Sequence, residues 1–319
     1  MKNKKWLITA GIFIITGLVS FIIIMSICSW DFNKLNMSKI ETNTYELQDD
    51  FANIEIETDK SDINFILTED ETNKVICVEE SKIKHNVIVD NNTLSIKVTN
   101  NKKWYDYIGI NWSKPKIDLY LSKSVYKNLI IENDTGDILV PKEFSFNIID
   151  IKSSTGRITN YANATESIKL KASTGDIKLE NVTTKTLDIS VSTGDIDLIK
   201  INCEDNISIK VSTGDITLTD VSCKNLETNG NTGKVILNSV IVDNKLYIDR
   251  STGDIKFDRC DASEIEIKTD TGDVKGSLLS NKIFIIETDT GKKSYPESTT
   301  GGICKITTDT GDIIVQIVN

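Results

Sequence analysis

The dipeptide Thr-Gly recurs along most of this chain, at Gly136, Gly156, Gly175, Gly194, Gly214, Gly233, Gly253, Gly272, Gly291 and Gly311. The spacings are 20, 19, 19, 20, 19, 20, 19, 19 and 20 residues. A period of this length marks an array in which each repeat is one small supersecondary unit. A copy this short cannot bury an apolar face alone, so the copies must stack.

The copy around Gly175 shows what stacks. Ile168, Leu170 and Ala172 alternate with Ser167, Lys169 and Lys171, the period of a strand with one buried face. After Ser173-Thr174-Gly175-Asp176 the alternation resumes at Ile177 and Leu179, but its inward parity has shifted. Thr-Gly-Asp is therefore a corner, and glycine supplies the positive φ or the close backbone approach it needs. Val182 begins a third short segment, which leads to the next strand at Leu187, Ile189 and Val191. Equivalent strands then pair in parallel about 4.7–4.9 Å apart, so ten coils make a rod on the order of 50 Å long. The predicted fold is all-β, a parallel β-solenoid of about ten 19–20-residue coils preceded by one transmembrane helix. The crossover rule predicts a right-handed wind. A β-propeller needs roughly 40 residues per blade, and an antiparallel meander has no reason to keep so strict a period.

Residues 1–5 hold three lysines and read as a cytoplasmic tail, and residues 6–30 contain no charge. As a helix this stretch is long enough to cross a bilayer. The positive-inside rule then predicts a single-pass protein of the cell membrane, with its N-terminus cytoplasmic and its C-terminal domain extracellular. A cleaved signal peptide is one alternative, without an Ala-x-Ala site to support it. A lipoprotein is another, since Met25-Ser26-Ile27-Cys28 resembles a lipobox with Ile27 where a small residue belongs.

Residues 31–50 are polar and read as a linker, and residues 51–128 as an atypical N-terminal β portion that caps or begins the solenoid. Within it, Ile54 to Ile63 looks like a decayed repeat with Lys60-Ser61 in place of Thr-Gly, and Asn86 to Val98 reads as a hairpin. The repeats occupy residues 129–319 and show no comparable C-terminal cap.

The net charge is −10, from 47 acidic and 37 basic residues, which argues against nucleic acid as a partner. Asp134, Asp270, Asp289 and Asp309 make the Asp-Thr-Gly tripeptide of aspartic proteases, but a catalytic dyad is one pair in a cleft and these belong to a ladder. The residue after each glycine forms a second ladder: Asp137, Arg157, Asp176, Asp195, Asp215, Lys234, Asp254, Asp273, Lys292 and Asp312. Stacked carboxylates repel, and the three cations relieve this. Such aspartates read as solvated corners that also bond local backbone N–H groups. The alternative is calcium, held where Asp270 and Asp273 lie beside Asp289, although calcium requires six to eight oxygens. Minimal coils leave no long loops to build a cleft, and the single histidine, His85, reads as structural or solvated. The chain is therefore expected to be no enzyme, with no catalytic residue and no cofactor. Of the six cysteines, Cys28 falls in the membrane span, while Cys203, Cys223, Cys260 and Cys304 fall on inward phases as buried thiols. Oxidation between stacked Cys203 and Cys223 is the alternative.

One aromatic run breaks the repeat. Trp104, Tyr105, Tyr107 and Trp112 follow Lys102 and Lys103, and are the ligand-contact candidates. Exposed Trp and Tyr beside cations suit a protein or glycan contact; the other reading is a plug for the solenoid end. A short membrane anchor followed by serial Ser-Thr-Gly-Asp-Ile corners resembles the bacterial putative adhesin family, domain of unknown function 4097. The resemblance covers residues 51–319, with Arg157, Lys234 and Lys292 departing from the motif and residues 64–130 lacking it. It implies a β-solenoid surface domain and carries over no catalytic residue. Two functions are expected of such a chain. One is a cell-surface adhesion or interaction module that meets a protein or cell-envelope glycan. The other is an accessory of an envelope-stress sensor that acts through a membrane partner, with Gly11, Gly17 and Ser20 on its helix contact.

Overall fold

No side chain fits at the Thr-Gly corners, and this sets the geometry of the coil. Nine of the ten glycines have φ between +132° and +156°. A methyl group built on Gly214 would overlap the carbonyl oxygen of Gly194 in the adjacent coil, and the same overlap recurs from corner to corner. Torsion and close approach both demand glycine. The result is a parallel β-solenoid of about nine turns. The computed structural model describes residues 2–31, 39–70, 72–107 and 114–318.

A helix, α1 (Lys2–Ile27), comes first. Its Trp6–Ile27 stretch is long and apolar enough to cross a membrane. The N-terminal β portion follows as β1 (Ile40–Leu47), β2 (Asn53–Lys60), β3 (Asp62–Leu67), β4 (Asn73–Glu80), β5 (Ile83–Asp90), β6 (Thr93–Asn100) and β7 (Lys116–Leu121). The regular coils contain β8 (Asn128–Thr135), β9 (Ile138–Val140), β10 (Ser145–Thr155), β11 (Ile158–Asn160), β12 (Asn163–Thr174), β13 (Ile177–Thr193) and β14 (Ile196–Cys203). They continue through β15 (Asn206–Thr213), β16 (Ile216–Thr232), β17 (Val235–Thr252) and β18 (Ile255–Thr271). The distal end holds β19 (Val274–Leu278), β20 (Lys282–Thr290), β21 (Lys293–Ser294), β22 (Gly302–Thr310) and β23 (Ile313–Ile317).

Successive coils pair in parallel and in register: Thr155 with Thr174, Thr174 with Thr193, Thr193 with Thr213. Inward residues form columns that fuse into one apolar core running from Leu47 to Val315. A second corner lies six residues after glycine. There Asn181, Lys200, Asp220, Ser239 and Arg259 adopt φ of 49–56°, the left-handed region. Asn and Asp tolerate that region, and the others are held in it by their neighbours.

At the N-terminal end Lys60 pairs with Thr135, so Lys60-Ser61 continues the line of Thr-Gly corners. Ser61 carries a side chain there without a positive φ. Beyond this coil the parallel stack gives way to antiparallel strands. β5 pairs with β6, while β4 pairs with both β7 and β1. Residues 40–47, read as linker from the sequence, are thus strand β1. Its sequence Ile-Glu-Thr-Asn-Thr-Tyr-Glu-Leu gave little signal, because most of its side chains are polar and only Leu47 is buried.

The distal end departs from sequence order. β22 pairs with β18 on one side and β20 on the other, so the coil of Gly311 lies between those of Gly272 and Gly291. The corners agree: Gly272 N donates to Thr310 O at 2.9 Å, and Gly311 N donates to Thr290 O at 2.9 Å. Inward threonines repeat the order, as Thr308 Oγ1 donates to Gly272 O at 3.2 Å and Thr288 Oγ1 to Gly311 O at 3.1 Å.

Candidate functional site

The aspartates after the glycines join one coil to the next. Asp195 Oδ1 accepts the backbone N–H of Asp215 at 2.8 Å, and Asp215 Oδ1 accepts that of Lys234 at 2.7 Å. Asp137, Asp176, Asp254, Asp273 and Asp312 do the same for Arg157, Asp195, Asp273, Asp312 and Lys292. Each carboxylate therefore satisfies a corner donor of the neighbouring coil, a charge-assisted bond. These bonds run between coils, where the sequence suggested local ones.

The calcium candidates do not assemble. Thr271 and Thr290 both pair with Thr310, so the coil of Asp309 separates Asp270 from Asp289. Asp273 Oδ1 serves Asp312 N, and its Oδ2 lies 2.6 Å from Lys275 Nζ. The Lys275 ammonium, with the Asp312 N–H, holds the Asp273 carboxyl below its ordinary value. The expected trio rested on stacking in sequence order, which the inserted coil overturns.

The structure does gather one set of potential metal ligands that sequence spacing missed. Cys77, Glu79 and His85 are buried, and their ligating atoms lie within 4.8 Å of one another. His85 Nδ1 and its backbone N each lie 2.7 Å from Glu79 Oε2. A carboxylate only accepts, so Nδ1 carries a proton. Nε2 lies 2.8 Å from Thr58 Oγ1, and Asn43 Nδ2 donates to Glu79 Oε1 at 2.5 Å. Lys84 Nζ stands 3.7 Å from that same oxygen. Burial, with Glu79 and Asp118 nearby, pushes the Cys77 thiol up to about 12. The group works as a polar clasp that ties β1, β2, β4 and β5 together. The order Glu79, His85, Thr58 is that of a hydrolase triad, but all three side chains are buried away from any substrate.

The four thiols of the regular coils are buried as well. Cys203, Cys223, Cys260 and Cys304 are free, and burial pushes Cys223 and Cys304 up to about 12 and Cys260 up to about 11. They pack as small apolar groups.

The aromatic run begins with a short 3-10 turn, Trp104–Tyr107. Trp104 is 76% exposed and Tyr105 48%, with their rings 5.8 Å apart, edge to face. Lys103 Nζ lies 5.9 Å over the Tyr105 ring. Asp106 accepts from Lys103 N and pairs with Lys82, which pins it to the turn between β4 and β5. Trp104 and Tyr105 thus face solvent and do not plug the solenoid. Trp112 lies outside the described residues.

The Toastrack DUF4097 family profile matches residues 51–205 and 199–317, most of the chain. The chain belongs to that family. No curated protein matches it. A solved structure of a putative lipid binding protein from Parabacteroides distasonis is 17% identical, with a TM-score of 0.51, over 74% of this chain and 96% of that one. A putative adhesin from the same species is 15% identical, with a TM-score of 0.47, over 76% and 98%. One from Parabacteroides merdae is 14% identical, with a TM-score of 0.46, over 89% and 98%. At such identities the first of these shows a shared Toastrack fold and nothing of function.

Proposed function

We propose that this Toastrack chain is a non-enzymatic adhesion or interaction module of the cell surface, held by α1 in the membrane with its solenoid outside. The family, the apolar helix and the adhesin names of its structural neighbours support this reading. The accessory reading gains no support from the comparisons. The observation that carries the proposal is the tip at Trp104 and Tyr105. Two large rings stand exposed on a braced turn, beside cations, and Trp104 at 76% is the most exposed aromatic side chain among the described residues of the β domain. Rigid aromatic side chains give contact area at little entropic cost.

The test compares cells that display the full chain with cells that display Trp104→Ala/Tyr105→Ala, for attachment to purified envelope glycan and to unmodified cells. Attachment falls at least tenfold in the double variant if the tip is the contact. Equal attachment at equal surface amounts would remove the tip from the account. External labelling of a cysteine introduced at Ser298, and none of one introduced at Asn3, is the expected topology.

A further inference from the structure

The distal end of the solenoid is a free sheet edge with an apolar face. β20 pairs with β22 alone, and among the described residues nothing pairs with its other side. That edge reads Ile283-Phe284-Ile285-Ile286. Ile283 and Ile285 are 40% and 42% exposed, and Ile303, beside Ile283 on β22, is 49% exposed. Outward positions on interior coils are mostly charged or hydroxylic, such as Lys169, Lys171, Asp188 and Ser190. Natural proteins cover, charge or bend a strand edge to avoid unwanted pairing. Here the edge is apolar, unbent and open.

The strand's own sequence says what fits it. Thr290 O accepts from Gly311 N, so Thr290 turns its backbone toward β22. Backbone groups alternate sides along a strand, so Phe284 and Ile286 also turn toward β22, while Ile283 and Ile285 offer theirs to the free edge. Consider a second β20 laid antiparallel, with Phe284 opposite Phe284. Ile283 of each copy then faces Ile285 of the other as a hydrogen-bonded pair, and the two Phe284 rings meet over the core as a non-bonded pair, where side chains stand closest. Glu287 and Asp289 fall beyond the paired segment, so no like charges oppose each other.

The geometry points to a second copy of this chain as the partner of the distal edge, paired β20 to β20 about a twofold axis at Phe284. An antiparallel strand pair relates its sheets by a rotation about the sheet normal, so the two solenoids extend in opposite directions. α1 joins each solenoid at its other end, through the segment that leads to β1. The anchors of a pair therefore point away from each other, into two apposed membranes. This inference rests on the adhesion reading and names its partner as the same protein on a neighbouring cell.

The experiment measures the protein mass of the purified full chain in detergent by light scattering, beside clustering of cells that carry it. Ile285→Lys adds a charge at the pairing edge, and Ile130→Lys makes the same change at an exposed interior position. The wild type and Ile130→Lys are expected to dimerise and to cluster cells. Ile285→Lys is expected to be folded, monomeric and at least tenfold weaker in clustering. A monomeric wild type, or equal loss in both variants, would overturn the inference. Monomers whose cells still attach to other surfaces would sink self-pairing and leave adhesion standing. Dimers whose cells attach to nothing would support the pairing and sink the adhesion reading.

Discussion

The two ends of the solenoid solve the same problem in opposite ways. At each end a coil leaves sequence order: β2 lies between β6 and β8, and β22 lies between β18 and β20. At the N-terminal end, antiparallel strands extend the stack and leave a rim that includes Glu41, Thr42, Thr44 and Glu46 on β1. The Glu79–His85 clasp locks those strands together. At the distal end β20 closes the stack with bare isoleucines. The cross-strand ties gather at the anchored end, which also carries Trp104 and Tyr105, while the proposed self-pairing edge lies at the other. The anchored end is cross-tied behind a largely polar β1 edge, and the distal end keeps an apolar one.

The largest expected effect tests that contrast directly. Glu79→Ala leaves His85, Asn43 and Lys84 around a buried gap and should cost about 3–5 kcal/mol, the usual result of breaking a buried charged group. At protein concentrations where the wild type is also monomeric, Ile285→Lys should change stability by about 0.5 kcal/mol or less, as an exposed substitution does. Urea unfolding of the full chain in detergent checks both, and comparable losses would erase the contrast between the ends. Next are the corners. Gly233→Ala forces a side chain into φ +132° and against the Gly214 carbonyl, and should cost about 3 kcal/mol or more. Gly291 has no positive φ, but a methyl group there would meet the Gly311 carbonyl just as closely, so Gly291→Ala should cost less than Gly233→Ala only by the torsional part, about 1–2 kcal/mol, in the same assay.

A smaller gain is expected between the ends. Lys200 holds φ of 54° with a Cβ, so Lys200→Gly should raise stability by up to about 1 kcal/mol. The smallest effect is electrostatic. Lys245 and Lys268 hold the Glu266 carboxyl down to about 2. A depressed carboxyl contributes stability above its unfolded value, and that stability is lost as pH falls through the folded one. The Tm advantage of wild type over Glu266→Gln should therefore be full above about pH 4.5 and vanish toward pH 2. A gap that persists in acid would contradict the pairing.

Much of this was legible in the residues. The Thr-Gly period and its parity shift implied stacked parallel coils, because glycine and alternation act locally. The left-handed second corner was not legible, since Lys200, Ser239 and Arg259 carry no torsional signature. Arg250 was also hidden. It points inward, is fully buried, and donates from Nη1 to Val211 O two coils away at 3.1 Å. It fits because Gly230 leaves the space that its guanidinium fills, a compensation between coils that no single repeat displays. The order of the last coils was invisible for a related reason. The corners at Gly291 and Gly311 have similar sequences, so either could stack on Gly272. The clasp at Cys77, Glu79 and His85 joins separate strands, and only antiparallel pairing brings it together.

The central claim is that β20, and not the later β22, forms the open edge. Hydrogen exchange on Ile285→Lys, which removes self-pairing, measures this directly, because amides with no strand beyond them exchange first. The account predicts faster exchange in residues 282–290 than in residues 302–310. Slower exchange in 282–290 than in 302–310 would mean that the coils stack in sequence order, and would contradict the account.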